Sequence, residues 1–294
     1  MDRSTMLEKA RLLVENIDEL PTIPAVATRI LTLLDQPEVE IEEVAELMLA
    51  DQVMAARVLK LINSPVYRPS HEISSLKRAL IHLGLRHIRE VVLTTSLIKI
   101  FGEDTGALRV NAFWEHSFGV GMVSKIIAQK LGYPDLDKAY ISGIVHDLGE
   151  VFLGNYLPDE FRRLQQSIQG TNVGMREAEA RLLGTTHSEI GLCLARKWNF
   201  PDAYCEVMAC HHNPSEAKND RVLCAIVNLA DLFWSVRGPG YSGWVCFNLA
   251  DEPAWNILSY MSNKLEDLDE ERFRYQLDDA VQSVEELVAS IFQH

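Results

Sequence analysis

Gly143-Ile144-Val145-His146-Asp147-Leu148-Gly149 is the stretch on which both the fold and the chemistry of this 294-residue chain turn. His146 and Asp147 stand side by side within an apolar run, Ile141 to Leu148, that reads as helix. A buried ionisable group without a partner is costly. The pair therefore predicts further imidazoles and carboxylates, brought from elsewhere in the chain and gathered around metal.

Outward from that stretch the sequence is helical in both directions. Alternating runs and hairpin turns are nearly absent, so the chain is predicted to be all-α. Toward the N-terminus, Leu20-Pro21-Thr22-Ile23-Pro24 punctuates the entry to helical patterns over about 25–34, 40–49 and 52–61, the last ended by Asn63-Ser64-Pro65. Ser74 or Ser75 caps the next helix, Gly84 breaks it, and another runs over about 86–101. Residues 102–106 form a short polar loop, a seam between lobes. The helix that begins at Asn111 has Ala112, Val120, Val123 and Ile127 on its apolar face, and His116 shares that face.

Toward the C-terminus, Thr186-His187-Ser188-Glu189 has the form of a capping box, with Thr186 capping and Glu189 reaching back. That puts His187 in the first turn of a helix closed by Trp198-Asn199-Phe200-Pro201. The next helix ends in Cys210-His211-His212-Asn213-Pro214. A helix over about 222–236 is apolar nearly all round and is predicted to be buried, with Asp231 its only charged residue. Arg237-Gly238-Pro239-Gly240-Tyr241-Ser242-Gly243 lacks the spacing of a phosphate-binding loop and reads as a turn. The tail carries two helical patterns, over about 254–265 and 270–292. Leu277, Val281, Val284, Leu287 and Ile291 of the second predict packing onto the body or a partner. The chain thus divides into a helical N-terminal lobe at 1–105, a helical core at 106–250 and an acidic tail at 251–294.

Composition excludes several classes. Residues 1–19 mix charged and apolar side chains without the apolar core of a signal peptide. Apolar stretches such as 91–101 are too short to cross a bilayer and carry Thr and Lys. A cytoplasmic protein without membrane contact is expected. A net charge of −14 argues against non-specific nucleic-acid binding. The charge is uneven. Residues 251–294 hold eleven acids and three bases, whereas 51–100 hold eight bases and three acids. Both are readable as solvated helix faces, or the basic segment as a docking surface for a small anionic ligand or an acidic partner. The five cysteines, Cys193, Cys205, Cys210, Cys224 and Cys246, form no C-x-x-C pair and read as buried free thiols.

Seven residues stand out: His116, His146, Asp147, His187, His211, His212 and Asp231. Each has an ordinary reading alone, as a satisfied core histidine, a cap or a surface pair at a helix end. Together, on five helices, they are the supply that an all-helical imidazole and carboxylate metal site needs. Such mixed nitrogen and oxygen donors favour iron, manganese, zinc, nickel or cobalt over calcium. Two cations bridged by a carboxylate can hold hydroxide and a phosphoryl oxygen together, the arrangement for phosphoester hydrolysis.

The order His116, His146-Asp147, Asp231 resembles the HD phosphohydrolase superfamily, and the added His187 and His211-His212 resemble its binuclear HD-GYP branch. A more specific resemblance is to the HDOD family of HD-related output domains. It is carried by Leu20-Pro21-Thr22-Ile23-Pro24, Arg57-Val58-Leu59-Lys60-Leu61-Ile62-Asn63-Ser64-Pro65, and Ile73-Ser74-Ser75-Leu76-Lys77-Arg78-Ala79-Leu80 with Leu83-Gly84-Leu85. Trp114-Glu115-His116, His187 to Gly191, Trp198-Asn199-Phe200-Pro201 and His211-His212-Asn213-Pro214 fit the same family. The resemblance implies an all-helical fold, with an HD-like core behind the N-terminal lobe, and a bacterial signalling or regulatory role without a general catalytic activity. It implies one metal on His116, His146, Asp147 and Asp231, and a second on His187, His211 and His212, with Asp147 bridging.

Three departures bear on catalysis. Glu150 stands where the H-D-x-G-K pattern has a phosphate-holding lysine, no G-Y-P follows His211-His212, and Ala112 occupies the position of a third-metal carboxylate. The leading expectation is a regulatory protein that keeps the metal site and acts through a signalling partner or a small anionic ligand. The alternative is a metal-dependent phosphohydrolase acting on a nucleotide or phosphoester, with Asp147 and its metals activating water. A third is a core of the same shape that holds no metal.

Overall fold

The computed structural model describes residues 2–17, 23–34, 36, 38–63, 71–102, 107–171, 173–237, 251–261 and 270–292. Outside them lie Leu20-Pro21-Thr22 of the entry stretch, Ser64-Pro65, most of the 102–106 loop, the glycine-rich 238–243 segment and Cys246. Among the described residues the fold is all-α, with no strand, as the periodicity predicts. By compactness the chain divides into two units, one of Met1–Leu20 with Glu103–Leu277, the other of Pro21–Gly102 with Asp278–His294. The first helix therefore joins the histidine-bearing core, not the lobe that follows it in sequence.

The second unit contains α2 (Ala25–Leu33), α3 (Ile41–Leu49), α4 (Gln52–Ile62), α5 (Leu76–Phe101) and the end of α15 (Glu270–Phe292). α2, α3 and α4 all pack against α5. Asp51 starts α4 by accepting from the Val53 and Met54 N–H groups and holds Lys99 at 2.9 Å. Asn63, in the sequence motif that ends α4, clamps the return of the chain. Its amide donates to the Ile73 carbonyl at 2.9 Å and accepts from the Ile73 N–H at 2.8 Å. Gly84 breaks α5 as expected, at φ 74° and ψ 159°, a conformation that only glycine adopts freely. Val284, Leu287 and Ile291 of the tail helix are buried.

The larger unit contains α1 (Arg3–Glu15), α6 (Val110–Leu131), α7 (Leu136–Val145), α8 (Leu148–Tyr156), α9 (Pro158–Ile168), α10 (Met175–Leu182), α11 (His187–Lys197), α12 (Asp202–Cys210), α13 (Arg221–Arg237) and α14 (Pro253–Met261). α6 packs on α7 and α13, and α11 packs on α8, α12 and α1. Two glycines set the α6–α7 approach: a Cβ on Gly143 would lie 2.6 Å from the Gly121 backbone. α11 ends on Asn199, at φ 54°, with the Phe200 N–H returning to the Ala195 carbonyl at 2.9 Å. Asparagine tolerates this left-handed cap. Cys205, Cys210 and Cys224 are buried free thiols and Cys193 is half-buried. Among the described residues no helix is long and apolar enough to cross a membrane.

Candidate metal centre

The seven residues named from the sequence converge in the larger unit. His116 comes from the middle of α6, His187 from the start of α11, His211 and His212 from the turn after α12, and Asp231 from the middle of α13. His146 and Asp147 correct one expectation. They do not lie within a helix but form the turn between α7 and α8. Asp147 sits at φ −104° and ψ 20°, in the sparsely populated bridge region that active-site residues often occupy. The break aims its carboxylate into the imidazoles instead of along a helix face.

Asp147 divides its two oxygens between two sets of imidazoles. Oδ2 lies 3.1 Å from His146 Nε2 and 3.6 Å from His116 Nε2. Oδ1 lies 3.3 Å from His211 Nε2 and 3.5 Å from His187 Nε2. Asp231 completes the first set, its Oδ1 3.2 Å from His116 Nε2. His212 completes the second, its Nε2 2.8 Å from His187 Nε2. Two donor groups result, His116–His146–Asp231 and Asp147–His187–His211–His212, within each of which the ligand atoms lie no more than 4.8 Å apart.

The outer nitrogens explain why the inner ones are available. His146 Nδ1 donates to the Gly143 carbonyl at 2.7 Å. His211 Nδ1 donates to the Val207 and Met208 carbonyls, each at 3.1 Å. His187 Nδ1 donates to Glu179 at 2.8 Å. In all three rings Nδ1 keeps its proton for an acceptor and Nε2 faces Asp147. His146 Nε2, His211 Nε2 and Asp147 Oδ1 are buried, yet among the described residues none has a hydrogen bond of good geometry. Buried polar atoms left in this way call for an explanation. Inward Nε2 atoms, outer N–H groups fixed by acceptors and a carboxylate facing both sets fit a pair of transition-metal ions.

Burial and the cluster's own charges shift its members in opposite directions. Burial works against the charged form of His146, but Asp147 outweighs it and lifts that imidazole to about 9. Burial likewise opposes His187, and Glu179 carries it to about 10. Burial and the neighbouring imidazoles hold His212 well below the ordinary histidine value. Burial also lowers His211, against the pull of Asp147. Asp147 is pulled well below the carboxylate range against its own burial, chiefly by His146.

The structure adds two carboxylates. Glu179, fully buried on α10, accepts from the His187 N–H at 2.9 Å as well as from Nδ1. Its segment is too polar, and its partner too far along the chain, for periodicity to mark it. Glu150 is buried in the first turn of α8, its Oε1 3.9 Å from His187 Nδ1. The capping box is also corrected. Thr186 makes no cap hydrogen bond; its hydroxyl donates to the buried Glu189 carboxylate, and Glu179 takes the first free N–H of α11.

The HDOD domain family model matches residues 20–214. An HDOD domain protein of unknown function from Geobacter sulfurreducens is 32% identical and superposes with a TM-score of 0.85, covering all of both chains. A candidate phosphohydrolase of Shewanella amazonensis, 22% identical, superposes at 0.73 over 95% of this chain and 97% of that one, which shows the fold. An uncharacterized protein of Treponema pallidum is 24% identical over 225 residues, 76% of this chain. The chain spans less than half, 44%, of the length of that curated relative. On its motifs, its fold and these matches, the chain belongs to the HDOD domain family.

Proposed function

We propose that the chain is a metal-binding regulatory protein, with a binuclear transition-metal centre at its core, that acts by binding a signalling partner or a small anionic ligand. The observation that carries the metal half of this reading is the division of Asp147 between two sets of inward Nε2 atoms. One ion would be held by His116, His146, Asp147 and Asp231, the second by Asp147, His187, His211 and His212. The regulatory half is supported by Glu150, whose buried carboxylate stands beside His187 where a phosphate-gripping cation would serve catalysis. An anionic ligand is supported by the basic 51–100 segment, in which half-buried Arg57 has an Nη1 without a hydrogen-bond partner among the described residues.

A second reading, hydrolysis of a phosphoester, is favoured by a different observation. The Asp147 and Asp231 side chains keep 10% and 14% exposure, so solvent reaches the centre. Arg176, exposed on α10, is close enough that its charge helps keep His212 neutral. In this reading Arg176 would hold the anionic substrate. Bound metals would supply activation of water and charge stabilisation at the phosphoryl oxygens.

Elemental analysis of the purified protein beside Asp147→Ala tests the metal centre. Near two transition-metal ions per chain, lost in the variant, is the expected result; no metal in the parent after reconstitution with iron, manganese or zinc would overturn it. A panel of phosphoesters then separates the readings. Turnover by the loaded parent that vanishes in Asp147→Ala, with Arg176→Ala raising KM, would replace the regulatory reading with the hydrolytic one.

A further inference from the structure

We infer that Glu179 is the positioning residue of the second half of the centre, fixing His187 so that its Nε2 is presented to metal. The inference rests on the metal-binding reading above. Glu179 is fully buried in a helix whose other buried residue is Ala178. A carboxylate withdrawn from water in this way is costly unless it is paired. Among the described residues its hydrogen bonds both come from one residue: a single oxygen, Oε2, accepts the His187 backbone N–H at 2.9 Å and the His187 Nδ1–H at 2.8 Å. The other oxygen, Oε1, is buried and makes no hydrogen bond among the described residues.

The double contact fixes two things at once. The bond to the backbone holds the first residue of α11 against α10. The bond to Nδ1 fixes the ring about its own axis and assigns the Nδ1 proton. The ring's remaining nitrogen can then only face Asp147 Oδ1, at 3.5 Å, and His212 Nε2, at 2.8 Å. His146 and His211 receive the same service from backbone carbonyls, which are neutral. His187 alone of these three is held by a carboxylate, which makes its imidazole the most electron-rich donor among them. Glu150 Oε1, at 3.9 Å, is too distant to take over the Nδ1 proton.

The test is stepwise loading of metal-free protein with Co(II), followed by visible absorption and competition with a chelator. Parent protein, Glu179→Ala, Glu179→Asp and Glu179→Gln are compared. The parent should bind two equivalents. Glu179→Ala and Glu179→Asp should bind one of them about 10–100-fold more weakly, the usual cost of losing an outer partner of a ligating histidine. The absorption band of that equivalent should change and the other equivalent should be untouched. Glu179→Gln keeps an acceptor oxygen without the charge, so it should fold as the parent does and fall between. Equal loading in all four proteins overturns the inference and leaves the metal centre standing. Loss of both equivalents to the same extent in Glu179→Gln also overturns it, because that is general damage to the core. A parent that binds no Co(II) overturns the metal reading itself.

Discussion

At the scale of the residue, the site is a problem in charge. Asp147 and four imidazoles are buried, Asp231 and His212 are half-buried beside them, and Glu150 and Glu179 are buried near His187. Without metal, His146 and His187 carry the compensating charge, lifted to about 9 and about 10. A histidine whose folded value lies above its unfolded one stabilises the fold fully below the unfolded value of about 6.5, and that contribution is lost as pH rises through the folded value. Chelated protein is therefore expected to lose thermal stability between pH 7 and pH 10, and a flat melting profile over that range would contradict the assignment. Asp147 has the opposite sign, its contribution being present above the ordinary carboxylate value and lost in acid. Metal loading should run against the first trend. Ions compete with protons for Nε2, so affinity should rise with pH across the window in which the metal-free fold weakens.

At the scale of the element, two glycines are required for two different reasons, and only one of them concerns the approach of segments that carry site residues. Gly149 follows His146-Asp147 by two residues, and a Cβ there would lie 2.0 Å from the His187 carbonyl oxygen. The glycine lets α8 lie on the start of α11, which brings Asp147 to His187. Gly149→Ala is expected to cost roughly 1–3 kcal/mol, as overpacking does, and to weaken metal loading, since His187 must move with its backbone. Gly84 meets nothing within 4 Å, and its requirement is the backbone angle alone. Gly84→Ala should cost on the order of 1–3 kcal/mol in strain and leave the metal stoichiometry unchanged. Chemical denaturation beside elemental analysis separates the two. Equal metal loss in both variants would show that general destabilisation, not the α8–α11 approach, governs the site.

At the scale of the whole molecule, the proposed centre draws on most of the larger unit. Its candidate ligands come from α6, the α7–α8 turn, α11, the turn after α12, and α13, so an ion bound there would cross-link segments more than a hundred residues apart in sequence. α1 adds an outer fastening. Arg3 donates to the Ala209 carbonyl at 2.8 Å, pairs with Glu216 and lies 3.9 Å from Glu189, spanning α11 and the segment that carries His211 and His212. A ligand present at a hundred times its dissociation constant stabilises the fold by about 2.7 kcal/mol. For a chain of this size that corresponds to a rise of about 4 °C in Tm. Calorimetry of chelated and reloaded protein checks this, and an unchanged Tm would mean that the histidines build the core without metal.

Much of this was legible in the residues themselves. Helical periodicity and the scarcity of alternation determined the all-α class, because a period near 3.6 leaves no strand face to bury. His116, His187, His211, His212 and Asp231 could be picked out because an ionisable group on an apolar helix, or at its end, requires a partner. The break at Gly84 and the end of α11 at Asn199 were marked by the residues suited to those backbone angles. Three things were decided only by tertiary structure. His146 and Asp147 fall in a turn, because the imidazoles brought around Asp147 from other helices, and not local propensity, fix where its carboxylate points. Glu179 becomes the partner of His187, because a contact between a polar helix and the next one leaves no periodic trace. The first helix joins the core, because the groups that Arg3 reaches lie about two hundred residues further along the chain, and only folding brings them together.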